Sequence, residues 1–296
     1  MKILISGATG LVGRALIPRL VARGHEVRAL SREKREELIH WDVETGELDS
    51  GALRKFGEPE ALVHLAGENI AAGRWTEEKK QRIRESRVEG TRKLVGYILK
   101  NVPSLKVFVG ASAVGFYGNR GDEMLTESSP RGEGFLADVC EAWERAAEPL
   151  GLAGVRVVHL RFGMILSRDG GALGKMLPVF RMGLGGRAGD GEQWVSWVSI
   201  EDAVRLIEFA LTEETVSAAY NAVAPGAVRN KEFAAALARE LRRPAVLPVP
   251  AAVVRLVFGE MGEALLLSSA RVMPERLERA GFRFRYGDIK EALKKS

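Results

Sequence analysis

The sequence predicts an α/β fold of Rossmann type: a doubly wound parallel sheet with helices on both faces, and a smaller C-terminal subdomain. Three observations carry that reading. Short apolar runs alternate with helix-period segments through residue 225. Gly7, Gly10 and Gly13 stand between the first such run and the first helical segment. Beyond them Pro225, Pro244, Pro248 and Pro250 break the alternation and introduce a different C-terminal stretch.

Taken in order, residues 2–6 read as a strand, and Leu11, Val12, Ala15, Leu16 and Leu20 recur at helical spacing until Gly24 ends the helix. Residues 26–30 alternate into a second strand and complete a βαβ unit. Further strands are expected at 61–65, 106–111 and 155–161, with helices at 76–100 and 137–150 between them. Gly170, Gly171, Gly174, Gly183, Gly185, Gly186, Gly189 and Gly191 then crowd a segment rich in aromatics and Met, a composition found in loops that close over ligands. A helix at 201–211 and a strand at 219–223 resume the pattern and end the sheet, and helices at 230–242 and 288–295 follow. The expected division is a dinucleotide-binding domain at 1–225 and a C-terminal domain at 246–294.

Composition narrows the function. At 296 residues, 46% hydrophobic and 28% charged, the chain can bury a core unaided and falls outside the disordered and fibrous classes. One cysteine, Cys140, cannot close an internal disulfide, and four scattered histidines offer no zinc-ligand spacing, so no metal is expected and a reducing cytoplasm is. The net charge of +5 is spread along the chain, which gives no support for a nucleic-acid partner. No apolar run approaches the roughly 20 residues of a membrane span, and no signal peptide is visible.

A glycine run in this position has a physical use. A positive φ makes the turn, a missing side chain lets backbone approach a pyrophosphate, and the helix starting at Leu11 offers it unpaired N–H groups and a positive dipole end. The alternative is a tight turn that binds nothing. At the end of the second strand, Ser31 and Arg32 stand where a fold selective for NAD would place a carboxylate for the ribose 2′-hydroxyl. A hydroxyl and a guanidinium suit a 2′-phosphate, so NADP is favoured, against an Arg32 merely solvated among Glu33, Lys34 and Arg35. Asp42 either accepts from the adenine amino group or forms a turn. Leu65, Ala66 and Gly67 close the third of these strands with backbone that can approach the cofactor, and His64 beside them reads as a strand histidine.

The run Ser6-Gly7-Ala8-Thr9-Gly10-Leu11-Val12-Gly13, with His64-Leu65-Ala66-Gly67, Ser112 before Phe116-Tyr117-Gly118, Arg161-Phe162-Gly163 and Trp197-Val198-Ser199-Ile200-Glu201-Asp202, resembles the extended short-chain dehydrogenase/reductase superfamily. Glu68-Asn69-Ile70, Arg74-Trp75, Ser86-Arg87 and the Pro-rich C-terminal segment resemble its NADP-binding "epimerase family" branch. The resemblance implies a Rossmann-type fold holding NADP, with Thr9, Leu11 and Val12 in the glycine turn and substrate seated under the C-terminal region. Arg87 occupies the place of an asparagine in the superfamily. It either reaches a cofactor phosphate or pairs on the helix surface with Glu85 or Glu89.

The same resemblance exposes a gap. Reductases and epimerases of the superfamily use a Tyr-x-x-x-Lys pair, the lysine lowering the tyrosine pKa and binding the nicotinamide ribose. With Glu144 aligned to the usual helix glutamate, the two places hold Leu136 and Cys140. Tyr286 and Lys290 match the spacing but lie near the C-terminus, by chance. The remaining candidates are Ser112 and Tyr117 as polar contacts to a substrate carbonyl, and Cys140, a thiol a helix dipole can acidify but more simply apolar filler. Trp194 and Trp197 either stack on a ligand or belong to the core. Ser196 stands near where nucleotide-sugar epimerases have an arginine, which argues against such a substrate. The expected function is an NADP-dependent oxidoreductase or epimerase (isomerase) acting on a small, unspecified carbonyl or hydroxyl compound, with a homodimer allowed for. The alternative is a non-catalytic NADP(H)-sensing protein.

Overall fold

The computed structural model describes residues 1–245 and 247–295, so the expected start of the C-terminal domain, at 246, lies outside the described residues. The strands are β1 (Lys2–Ser6), β2 (Glu26–Ser31), β3 (Ile39–His40), β4 (Ala61–His64), β5 (Val107–Ala113), β6 (Met124–Leu125), β7 (Arg156–Phe162), β8 (Met164–Leu166), β9 (Trp194–Val195), β10 (Trp197–Ser199), β11 (Ala218–Ala222), β12 (Val228–Arg229) and β13 (Arg271–Val272). Seven of them form one parallel sheet in the order β3-β2-β1-β4-β5-β7-β11. The order reverses between β1 and β4, which opens a crevice at the carboxyl ends of those strands.

Alternation along the strands fills both faces, as a parallel sheet requires. Ile3, Ile5, Val63, Val109 and Leu160 pack with Leu16 and Leu20 of α1 (Leu11–Ala22) on one side. Leu4, Leu62 and Phe108 pack on the other, against Leu53 and Phe56 of α2 (Ser50–Phe56) and Leu94, Val95 and Ile98 of α3 (Glu77–Asn101). Thr76 caps α3, its hydroxyl accepting from Lys79 N at 3.1 Å.

The single helix expected at 137–150 is two, α4 (Phe135–Arg145) and α5 (Glu148–Leu152). Pro149 has no N–H for the ladder and its ring would strike the carbonyl four residues back, so the chain breaks at Ala146 and Ala147. The C-terminal segment is built into the rest: β13 pairs with β6, and Leu277 and Phe282 join the core under β1 and β7. Among the described residues no helix is long and apolar enough to cross a membrane.

Candidate functional site

At the crevice, β1 ends in Ser6 and the chain turns at Gly7 with φ +72°. A Cβ on Gly7 would lie 2.7 Å from the Leu65 carbonyl carbon, and one on Gly13 would lie 2.4 Å from the Gly7 oxygen. Gly7 therefore meets both demands expected of the turn, whereas Gly13 meets only that of close approach. Gly10 donates to Gly7 O at 3.0 Å and starts α1 with no side-chain cap. The first-turn N–H groups of α1 thus have no capping side chain, next to an exposed Thr9, an arrangement that suits a bound anion.

The other wall of the crevice is tied to the first through Ser6. Its Oγ accepts from Leu65 N at 3.2 Å and Ala66 N at 3.3 Å, so its proton goes to His64 Nδ1 at 2.6 Å. His64 Nε2 is left to donate to Thr91 Oγ1 at 2.8 Å, which also accepts from Trp143 Nε1 at 3.0 Å. Burial, aided by His159, pushes the His64 pKa down to about 4, so the ring is neutral. His64 is a strand histidine, as expected, and it holds the Leu65–Gly67 turn in place. That role has no local signature, because Ser6 and Thr91 are far from it in sequence.

Arg32 is exposed at the end of β2 and makes no ion pair or hydrogen bond among the described residues, while its neighbours Glu33 and Arg35 pair with each other at 2.6 Å. Ser31 Oγ accepts from Glu33 N at 3.0 Å. Asp42 fills the turn-forming role: Oδ1 accepts from Glu44 N at 2.8 Å and Thr45 N at 3.3 Å, and these bonds hold its carboxyl below the usual range. Arg87 departs from its surface reading, since Glu89 pairs with Arg92 and Glu85 takes Gln81. Its guanidinium instead lies beneath Gly67 and donates to Glu68 O at 2.9 Å.

Deeper in, Ser112 and Tyr117 feed one buried network. Ser112 Oγ donates to Glu144 Oε1 at 2.6 Å, and Arg161 grips both oxygens of Glu144 at 2.8 Å. Tyr117 is fully buried, donates to Asn221 Oδ1 at 2.7 Å and accepts from Arg161 Nη1 at 3.0 Å. Asn221 continues to Met273 O at 2.9 Å, which ties the C-terminal segment to β11. Burial raises the Tyr117 pKa against the pull of Arg161, so the hydroxyl stays protonated. The structure thus brings Ser112 and Tyr117 together around Glu144 and Arg161, with no free hydroxyl on an open face.

The other candidates separate as follows. Cys140 is buried, and desolvation with the nearby Glu144 pushes its thiol up to about 11, which removes dipole acidification. Tyr286 donates to Glu201 at 3.1 Å, ahead of the helix Ile289–Lys295 that carries Lys290, outside any catalytic helix. Trp197 is core, whereas the Trp194 ring has the guanidinium groups of Arg229 and Arg271 4.3 and 4.5 Å from its centroid. Gln193 is the residue the sequence did not single out as polar machinery. Its Nε2 donates to Ala188 O and Leu266 O, joining the glycine-rich loop to the C-terminal segment.

Comparisons with known proteins agree with this architecture. Epimerase family protein Mb2239 of Mycobacterium bovis is 41% identical over 293 residues, covering 98% of this chain and 96% of that protein. The human epimerase family protein SDR39U1 is 37% identical, with 99% of each chain covered. A crystal structure of human SDR39U1 (isoform 2) with NADPH superposes with a TM-score of 0.89 at 36% identity, covering 100% of this chain and 98% of that one. Residues 249–296 match a domain of unknown function, DUF1731. With residues 3–222, which span the glycine turn, the crevice and all seven strands of the sheet, matching the model of the NAD dependent epimerase/dehydratase family, the chain belongs to that family.

Proposed function

We propose that this protein binds NADP(H) in the crevice between β1 and β4 and uses it to exchange hydride with a small carbonyl or hydroxyl compound, as an oxidoreductase or epimerase. The observation that carries the reading is the uncommitted Arg32 guanidinium at the end of β2, beside a helix start whose N–H groups are open. Gly7, Thr9, Gly10, Leu11, Val12 and Gly13 would hold the pyrophosphate, and Ser31 and Arg32 the 2′-phosphate, with Asp42 on the adenine side. Leu65, Ala66 and Gly67 would line the opposite wall with backbone, and Arg87 would add a cation beneath it. The dinucleotide supplies the hydride when bound, and the chain's own residues orient it and exclude water.

A second reading, an NADP(H) sensor without turnover, is favoured by one observation: the Ser112 and Tyr117 hydroxyls are both consumed by the Glu144–Arg161 pair and Asn221. Calorimetry with NADPH and NADH, followed by NADPH consumption over a panel of small carbonyl compounds, tests both readings. Submicromolar NADPH binding with turnover supports the first, and binding with none over the panel supports the second. No heat with either nucleotide would overturn both.

A further inference from the structure

Most of the large hydrophobic side chains exposed among the described residues gather in two stretches, 179–184 and 247–258. The first is the end of helix α6 (Gly171–Arg181) and the turn after it, where Val179, Met182 and Leu184 are exposed. The second holds helix α7 (Ala251–Phe258), in which Val254 alone is buried. Val253, Leu256 and Val257, at spacings of three and four, share one side of α7 and are exposed, Leu256 by 76%. A surface helix ordinarily turns such a stripe to the core.

The backbone joins the two stretches into one face. A Cβ on Gly183 would touch the Pro244 ring at 3.6 Å, Val249 N donates to Arg187 O and Gly189 N to Val249 O, both at 2.8 Å, and α7 begins directly after Pro250. The border of this face is cationic. Arg181, Arg187, Arg242 and Arg243 are exposed along it, and among the described residues their side chains make no ion pair or hydrogen bond. Glu240, Glu260 and Glu263 are taken by Arg168, Lys80 and Arg255, which leaves Asp190 as the one carboxylate here outside an ion pair.

An exposed apolar face with a charged rim marks a surface that something covers. A second copy in a twofold contact would bring the four guanidinium groups toward their own kind, which costs free energy. A bilayer with anionic head groups answers both halves of the face: its acyl chains take the apolar stripe and its phosphates the guanidinium groups. We infer that this face docks on an anionic lipid surface, with α7 and the turn after α6 entering the head-group layer and Arg181, Arg187, Arg242 and Arg243 meeting lipid phosphates. The protein would lie on the bilayer without crossing it, since no described helix is long and apolar enough to span one. Helix α6 runs from this face back to the glycine turn, where a Cβ on Gly171 would fall 3.1 Å from Leu11 Cδ2, so docking holds the crevice one helix length from the lipid. The inference does not depend on the NADP(H) reading.

The test is sedimentation with vesicles of phosphatidylcholine, alone or mixed with phosphatidylglycerol, at about 0.05 M and about 0.5 M salt. At low salt the protein should bind the mixed vesicles at least about tenfold more tightly than the neutral ones, and high salt should weaken that binding. Leu256→Gln with Val257→Gln should weaken it at least about tenfold, and Arg242→Gln with Arg243→Gln about 10–30-fold. The thermal midpoint should not move in either variant, because all four side chains are exposed. No sedimentation with the mixed vesicles at low salt, equal binding to the neutral ones, or undiminished binding by both variants would overturn the inference. So would a wild-type dimer in analytical ultracentrifugation that Leu256→Gln with Val257→Gln dissociates, which would assign the face to a second copy.

Discussion

The pH dependence of stability offers a direct measure of the link between His64 and the crevice. The ring is fully buried, and between Ser6 and Thr91 there is room for one ring proton only. Burial, with His159 adding, takes its pKa from 6.5 to about 4. In that interval the unfolded chain is protonated and the folded one is not, so the unfolded state binds more protons and stability rises with pH. The contribution is complete above 6.5, is lost as pH falls below it, and is exhausted near 4. The interval from 6.5 to about 4, at roughly 1.4 kcal/mol per pH unit, bounds the loss at about 3 kcal/mol, of which about 2 kcal/mol is gone by pH 5. Urea unfolding of wild type and His64→Gln at about pH 7.5 and about pH 5 isolates it, because the other titrating groups are common to both proteins. Gln can accept from Ser6 and donate to Thr91 without titrating. Wild type should lose about 2 kcal/mol more than the variant on acidification. Equal losses would refute a neutral His64 and with it the proton order assigned to the Ser6–Thr91 chain.

Four further outcomes follow from the same geometry. Arg32→Ala should weaken NADPH binding about 10–100-fold and leave NADH unchanged by calorimetry, the value of a charge-assisted phosphate contact; equal loss for both would remove the 2′-phosphate assignment. Gly7→Ala places a Cβ 2.7 Å from the Leu65 carbonyl carbon at φ +72°, so it should lower the thermal midpoint and abolish NADPH binding together. Cys140 should resist thiol reagents in the native protein near pH 8 and react on unfolding, since burial holds its thiol up at about 11. Tyr117→Phe should cost about 1–3 kcal/mol in urea unfolding by leaving Asn221 Oδ1 and Arg161 Nη1 without their partner, with NADPH affinity unchanged.

What the sequence reveals depends on the range over which a feature is encoded. The strands of the central sheet that begin at Lys2, Glu26, Ala61, Val107, Arg156 and Ala218 are legible because each is a continuous apolar or alternating run bounded by turn residues. β3 is not, being two residues whose strand character comes from pairing with Leu30 and Ser31. The short pairs β10 with β8 and β12 with β9 are invisible for the same reason, and they shape the glycine-rich segment that composition could only describe as loop. At the site, the glycine turn is legible because its demands are local. The Tyr117–Asn221 bond is not, because it joins residues 104 positions apart. Arg87 falls between: its spacing to Glu85 and Glu89 suggested a surface pair, and only the packing of α3 on α4 shows that the side chain turns the other way.

That long-range network bears on where a proton for hydride chemistry would come from. For Tyr117 to donate to a substrate, its hydroxyl must leave Asn221 Oδ1 and cease accepting from Arg161 Nη1. Each buried group left unpaired costs about 1–3 kcal/mol, and a single substrate oxygen can replace at most one of the two bonds. Ser112 faces a similar barrier, since its proton is committed to Glu144 Oε1, and Arg161 binds both oxygens of that side chain. Releasing either hydroxyl also loosens Asn221 or Glu144, and Asn221 holds the C-terminal segment through Met273. A substrate that carries its own acidic hydrogen, or a site open to water in the bound state, avoids that penalty. Solvent isotope effects on NADPH consumption in wild type and Tyr117→Phe therefore distinguish the sources: an equal effect in both points to water or substrate, and its loss in the variant would restore Tyr117 as the donor.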